Sequence, residues 1–250
     1  MTIKYDLTGF YNLREGGGLK AGSDRLRTER LLRSDFPSSL DGEDQLFFSE
    51  LPLSAVVDLR SEMERLSSPH FFKENGFRVI NRGIEAGSAA SMMSGHMTIE
   101  KMYLEMLQHS PKHLTDAVID VADTIGDGAV LVHCTAGKDR TGIVIALIQW
   151  LLGVDEDAIV ESYSLTEQNL DGPWLQRKIK EIPKALAKIP GAEHFEVDTL
   201  IPLMTSSPPA AMELVLKTIR EGYGGPADFL VANGAKESDF EKLGDALLVP

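Results

Sequence analysis

Residues 129–148 constrain the fold of this chain more than any other stretch. Ala129-Val130-Leu131-Val132 is an apolar run of strand character, and Ile143-Val144-Ile145-Ala146-Leu147-Ile148 has the composition of a helix buried nearly all round. Between them lies His133-Cys134-Thr135-Ala136-Gly137-Lys138-Asp139-Arg140-Thr141-Gly142, polar and glycine-containing. A buried strand, a short loop and a buried helix in that order point to an α/β fold, a mainly parallel sheet flanked by helices. Further strands are expected near Leu31-Leu32, at Ala55 to Leu59 and at Phe77 to Ile80. Helices are expected from Gln45 to Leu51, from Thr98 to about Gln108, from Pro111 with Leu114, Val118, Val121 and Ile125 on one stripe, from Asp155 through Ser164, and from Pro173 to Ile182. Pro183, Pro190-Gly191 and Ser206-Ser207-Pro208-Pro209 punctuate the later part. Three short helices are expected beyond Met212, the last opened by a Ser238-x-x-Glu241 capping box.

Cys134 is the only cysteine in 250 residues. A lone buried cysteine is usually a small apolar core residue, but this one precedes two glycines, Lys138, Asp139 and Arg140, a poor composition for a core. A loop between strand and helix can turn its backbone N–H groups inward around an anion. The helix start near Arg140-Thr141 adds unpaired donors and the positive end of a dipole. Gly137 suits unusual dihedrals or a close backbone approach. Arg140 can hold two phosphate oxygens in one plane, which lysine cannot. The same surroundings favour the thiolate, the nucleophilic form of cysteine. Thr141 can hydrogen-bond that thiolate, and His133 is placed to brace the loop from behind. Thr135, Ala136, Gly137, Lys138, Asp139 and Arg140 are thus the expected phosphate-binding residues. The chemistry expected of them is attack of sulfur on phosphorus, a phosphocysteine, then hydrolysis by water.

A carboxylic acid must protonate the leaving oxygen. Asp139 in the loop competes for this role with Asp58 at the end of a predicted strand, where a carboxylate commonly pairs with an arginine, here Arg60 or Arg14. Lys138 could face a carboxylate, a second phosphate or solvent. No metal ligand cluster appears and no cofactor is called for. His109 and His113 are separated by Pro111, which breaks the helix that joint metal ligation would need. Glu50, Glu62 and Glu64 read as solvated charges, and Met92, Met93, Met97, Met102 and Met106 as apolar packing.

HCTAGKDRTG resembles the phosphate loop of the atypical bacterial tyrosine-phosphatase family, which includes secreted mycobacterial phosphatases of broad specificity. Asn12-Leu13-Arg14-Glu15 with Gly16-Gly17, and Leu32-Arg33-Ser34, are similar to its N-terminal signature; Val56-Val57-Asp58-Leu59-Arg60-Ser61 with Glu64 is similar to its second motif. The likeness covers about residues 10–248, departing most between Gly18 and Arg30, where no role is carried over. It implies a protein-tyrosine-phosphatase-like fold, favours Asp139 as the acid, and suggests a helical lid over residues 155–210, against which ordinary helical packing is the alternative. Trp174 would then plug the site or anchor a helix in core. Activity on phosphoinositides occurs in some members.

Composition bounds the rest. At 250 residues and 43% hydrophobic content, one domain over 1–250 with one sizeable core is expected. A net charge of −13 argues against nucleic acid and against stable association with an anionic membrane. The expected partner is a phosphorylated protein, or else a small phosphomonoester such as a nucleotide, sugar phosphate or phosphoinositide. Met1 to Phe10 has no apolar signal core, and one cysteine suits a reducing compartment, so a cytoplasmic enzyme is expected, with export lacking a cleavable signal as the alternative. Ala86 to Met97, small and Gly/Ser-rich, is expected as a flap.

Overall fold

The computed structural model describes residues 3–68, 71–85, 97–186 and 200–250. From the N-terminus the chain forms β1 (Arg14–Glu15), β2 (Lys20–Ala21), β3 (Asp24–Leu26) and β4 (Leu31–Ser34). Helix α1 (Gly42–Glu50) leads into β5 (Leu53–Asp58), and the short α2 (Glu62–Leu66) and α3 (Phe71–Glu74) lead into β6 (Val79–Asn81). Helices α4 (Ile99–His109) and α5 (Pro111–Thr124) precede β7 (Ala129–His133), and α6 (Asp139–Leu151) follows it. Then come α7 (Glu156–Ser164), α8 (Thr166–Leu170), α9 (Pro173–Leu186), α10 (Ile201–Thr205), α11 (Pro209–Tyr223), α12 (Pro226–Ala232), α13 (Glu237–Leu247) and β8 (Leu248–Val249).

The main sheet has the order β1-β4-β7-β5-β6 and is parallel except at β1. Its central strand β7 is buried along its whole length, as an apolar strand covered on both faces must be. Successive side chains go to opposite faces. Val130 and Val132 join the larger core with Leu114, Val118 and Ile145, while Leu131 joins Phe10, Leu32, Phe48, Val56 and Phe72 on the other side. Helix α6 is buried continuously from Arg140 to Gln149. Gln149 satisfies its amide by donating to the Gly16 carbonyl at 2.8 Å. In register, His133 lies opposite both Ser34 of β4 and Asp58 of β5. Three neighbouring strands therefore end level, and the segments after them open on one carboxyl edge of the sheet.

Several expected elements shift. The strand expected at Phe77 starts at Val79, and α9 continues through Pro183 to Leu186. A proline breaks a helix only where its missing N–H and its ring matter, and sequence position alone does not show that. The last helix starts at Glu237, with Asp239 rather than Glu241 reaching back to the Lys236 amide at 2.9 Å. The first helix beyond the Ser206–Pro209 punctuation starts at Pro209 and runs 15 residues, longer than expected. A second antiparallel sheet, β2-β3-β8, joins the Gly- and Arg-rich N-terminal stretch to the end of the chain. Its strands are two or three residues long, too short for a hydrophobic period to register. The expected flap falls outside the described residues up to 96, as does Pro190-Gly191. No described helix is long and apolar enough to cross a membrane.

Candidate active site

Cys134 is buried directly beyond the end of β7. The segment from Cys134 to Lys138 has each of its first four carbonyls engaged by a neighbouring element. The Cys134 oxygen lies 3.1 Å from His133 Nδ1, and Thr135 O accepts from the Phe36 amide at 3.1 Å. Ala136 O accepts from Asn12 Nδ2 at 2.9 Å, and Gly137 O from Arg33 Nη2 at 2.8 Å and Asn12 Nδ2 at 3.3 Å. In a trans peptide the N–H points opposite the C=O. With four carbonyls drawn to supporting elements, the amides of residues 135–138 are turned the other way, into the concave side of the loop. Helix α6 begins at Asp139 without a side-chain cap, so its first amides remain open donors. Gly137 makes this turn at φ +66°, and a Cβ there would lie 2.3 Å from the Ser34 carbonyl oxygen.

Arg140 closes the loop. Its Nη1 and Nη2 donate to the Glu64 carboxylate at 2.6 and 2.9 Å, the planar two-point geometry that fixes a guanidinium. Glu64 also accepts from the Thr135 hydroxyl, and from the Ser61 amide at 2.8 Å within the capping box that starts α2. Burial opposes the charge on both partners, yet the hydrogen bonds and mutual attraction outweigh it. Glu64 is held well below the usual carboxylate range and Arg140 above its ordinary value. The expectation of a solvated Glu64 is therefore corrected. Arg140 Nε and Thr141 Oγ1 are buried without a hydrogen-bond partner among the described residues.

Asp58 is placed by the structure in the ion pair that its strand-end position allowed for. Its carboxylate takes Arg60 Nη2 at 2.8 Å and Nε at 3.1 and 3.2 Å, with His133 Nε2 at 3.9 Å, and both charges are buried. Against the burial that would raise it, His133 and Arg60 hold Asp58 below its ordinary value, a poor state for a proton donor. The Arg60 guanidinium lies over the Phe36 ring at 3.6 Å, so the pair braces the segment whose amide holds Thr135. His133 is pushed down by burial, with Asp58 opposing, and braces the loop from behind. Asp139, in contrast, keeps partial exposure at the start of α6, where its Oδ1 accepts from Tyr103 at 2.9 Å.

Lys138 is fully buried. Its ammonium donates to the carbonyls of Leu203 at 2.6 Å and Ser206 at 2.8 Å and lies 3.4 Å from Asp139 Oδ1. Trp174 packs with Leu170 against Ala136 of the loop, and Asn169 Nδ2 donates to Asn12 Oδ1 at 3.0 Å. Leu170, Trp174, Leu203 and Ser206 thus all meet the loop.

The N-terminal support is itself held from below. Asp35 accepts from the amides of Asn12 at 2.9 Å and Tyr11 at 3.1 Å, while Arg14 bonds Asn12 and Thr166. Burial raises Asp35 to about 6, with the amide bonds pulling the other way. An unfolded aspartate titrates near about 3.9, so between those values the unfolded chain binds fewer protons and stability falls as pH rises. The contribution of protonated Asp35 is complete below about pH 4 and lost through about pH 6. Asp35→Asn, whose single oxygen can accept both amides, is expected to match the parent near pH 4 and exceed it at pH 7 by up to about 3 kcal/mol. Urea unfolding at both pH values checks this; an equal difference at the two would count against it.

Cys134, Thr135, Ala136, Gly137, Lys138, Asp139, Arg140 and Thr141 are brought together, while Asp58 and His133 lie behind them. Sequence reasoning assigned no role to Glu64, Tyr103 or Tyr163, and quoted Asn12 and Arg33 without one. Only the Ser61-x-x-Glu64 spacing carried a local signal, and it speaks of a helix start rather than of Arg140.

Comparison with known proteins identifies the family. A model described as the tyrosine phosphatase family matches residues 5–249. A Cupriavidus necator protein provisionally named a tyrosine-protein phosphatase is 31% identical over 93% of this chain and 84% of its own. The triple specificity protein phosphatase PtpB of Mycobacterium tuberculosis is 25% identical over 97% of this chain and 98% of its own. The crystal structure of P. aeruginosa TpbA is 18% identical with a TM-score of 0.41, covering 65% of this chain and 77% of that one. The chain belongs to the tyrosine phosphatase family and is a phosphoric monoester hydrolase.

Proposed function

We propose that this chain hydrolyses phosphomonoesters through a phosphocysteine on Cys134, acting first on phosphotyrosine-like proteins with relaxed specificity. The observation that carries this reading is the outward tethering of four successive loop carbonyls, which leaves a ring of amides and Arg140 facing one buried sulfur. The thiolate attacks phosphorus in line while the equatorial oxygens lie against the amides and the Arg140 guanidinium. Thr141, whose hydroxyl has no other partner among the described residues, donates to the sulfur and eases its departure in the second step. Asp139 protonates the leaving oxygen and then takes a proton from the attacking water.

Lys138 supports the preference for singly phosphorylated substrates, since its ammonium is already spent on two carbonyls and offers no handle for a second phosphate. Phosphate release across phosphotyrosine and phosphoserine peptides, nucleotides, sugar phosphates and inositol phosphates, with Cys134→Ser as the blank, tests the reading. A preference of several orders for one metabolite would overturn the choice of substrate. Asp139→Asn is expected to slow alkyl phosphates by about 10²-fold or more and activated aryl phosphates far less. Asp58→Asn is expected to lower stability with no such split; a leaving-group split in Asp58→Asn instead would move the acid role to Asp58.

A further inference from the structure

We infer that Tyr103, backed by Tyr163, is a positioning residue that points the proton-donating oxygen of Asp139 at the leaving group. The inference rests on the reading of Asp139 as the general acid and adds what aims it. Asp139 has two oxygens, and everything that grips the side chain grips the same one. Oδ1 accepts from the Tyr103 hydroxyl at 2.9 Å and lies 3.4 Å from the Lys138 ammonium. Oδ2 has no protein partner among the described residues and is the oxygen left to carry the proton. As sulfur bonds to phosphorus and the P–O bond breaks, that proton passes from Oδ2 to the departing oxygen, and Asp139 is left as the carboxylate.

Tyr103 is in turn fixed. Its hydroxyl lies 2.8 Å from that of Tyr163. Each phenol has one proton, so with Tyr103 donating to Asp139, Tyr163 must donate to Tyr103. The three residues come from α4, α7 and the first turn of α6, and both rings are buried, packed edge to face with centroids 6.1 Å apart. Burial and the nearby Asp139 charge keep both phenols above their ordinary range, so they remain donors. Gly142 makes the arrangement fit: a Cβ there would lie 3.1 Å from the Tyr163 ring. A glycine inside a helix is destabilising relative to alanine, so the space it leaves for Tyr163 gives it a use.

The test compares kcat on an alkyl phosphate and on an activated aryl phosphate for Tyr103→Phe, Tyr163→Phe, Asp139→Asn and the Tyr103→Phe/Asp139→Asn double variant. Tyr103→Phe keeps the ring, and its folding is checked by thermal unfolding. It is expected to lower kcat for the alkyl ester by about tenfold, the worth of one hydrogen bond, with KM unchanged and the aryl ester within about twofold. Tyr163→Phe should show the same split more weakly. The double variant should be no slower than Asp139→Asn alone, because a residue acting through Asp139 has nothing left to aim. Equal losses on both esters, or losses that multiply in the double variant, would overturn the inference while leaving Asp139 in place. An Asp139→Asn variant without a leaving-group split would remove the acid assignment and this inference with it. A parent chain with no Cys134-dependent turnover would sink the phosphatase mechanism itself.

Discussion

Cys134→Ser is expected to lower phosphate release by about 10⁴-fold or more while leaving the fold and the anion site in place. Serine is close in size to cysteine, and the position is buried in the core, so little in the packing should change. What changes is the nucleophile, since a serine hydroxyl is a far weaker nucleophile than a cysteine sulfur unless a base activates it. The amides and Arg140 remain, held from outside by Asn12, Arg33, Phe36 and Glu64. Inorganic phosphate should therefore still raise the melting temperature of the variant, by the mass-action term of a ligand that binds only the folded state. Retained turnover would place the nucleophile elsewhere. Lost turnover together with lost phosphate stabilisation would mean that the loop depends on the sulfur for its shape.

Gly137→Ala is expected to be the most disruptive glycine-to-alanine change among the described residues. Two costs combine. At φ +66° an L side chain is strained by about 1–2 kcal/mol. The new Cβ would also lie 2.3 Å from Ser34 O, 2.4 Å from Ser34 C and 2.6 Å from Asp35 N, all backbone atoms of the end of β4 that cannot swing aside. Relief requires moving the loop, which pulls Gly137 O from Arg33 and Asn12 and turns the amides away from their common focus. Stability should fall by about 3 kcal/mol or more, with turnover down by orders of magnitude. Gly22→Ala separates the causes. Gly22 has φ +60° but nothing within 4 Å of its added Cβ, so it should cost only the backbone strain of about 1–2 kcal/mol and leave activity intact. Equal effects of the two substitutions would refute the steric account.

The strand–loop–helix at the centre was legible because long apolar runs flank a polar one and because each loop residue has a chemical reason. Helices with a strong period or a clear start, such as α4 from Thr98 and α7 from Asp155, were legible for the same cause. The groups that shape the loop were not. Asn12, Arg33, Phe36 and Glu64 meet it from segments far away in sequence, and no local period tells which arginine or glutamate will be drawn inward. Glu64 looked like surface because its short helix is otherwise exposed or half-buried, and only its Arg140 partner explains it. The pairing of Asp58 with Arg60 also needed three dimensions, since an arginine two residues away could have pointed anywhere.

The tethers on the loop carbonyls carry a consequence for how the molecule assembles. Asn12 reaches across 124 residues to Ala136 and 125 to Gly137, and Arg33 across 104. Closing such spans costs chain entropy before any bond rewards it, and topologies rich in distant pairings fold slowly. Helices α5 and α6, close in sequence to β7, can condense with it early, but the anion cradle takes shape only once the N-terminal segment docks. During refolding, helical signal should thus return ahead of catalytic competence, and the interval between them measures how long the sulfur stands without its guard of amides.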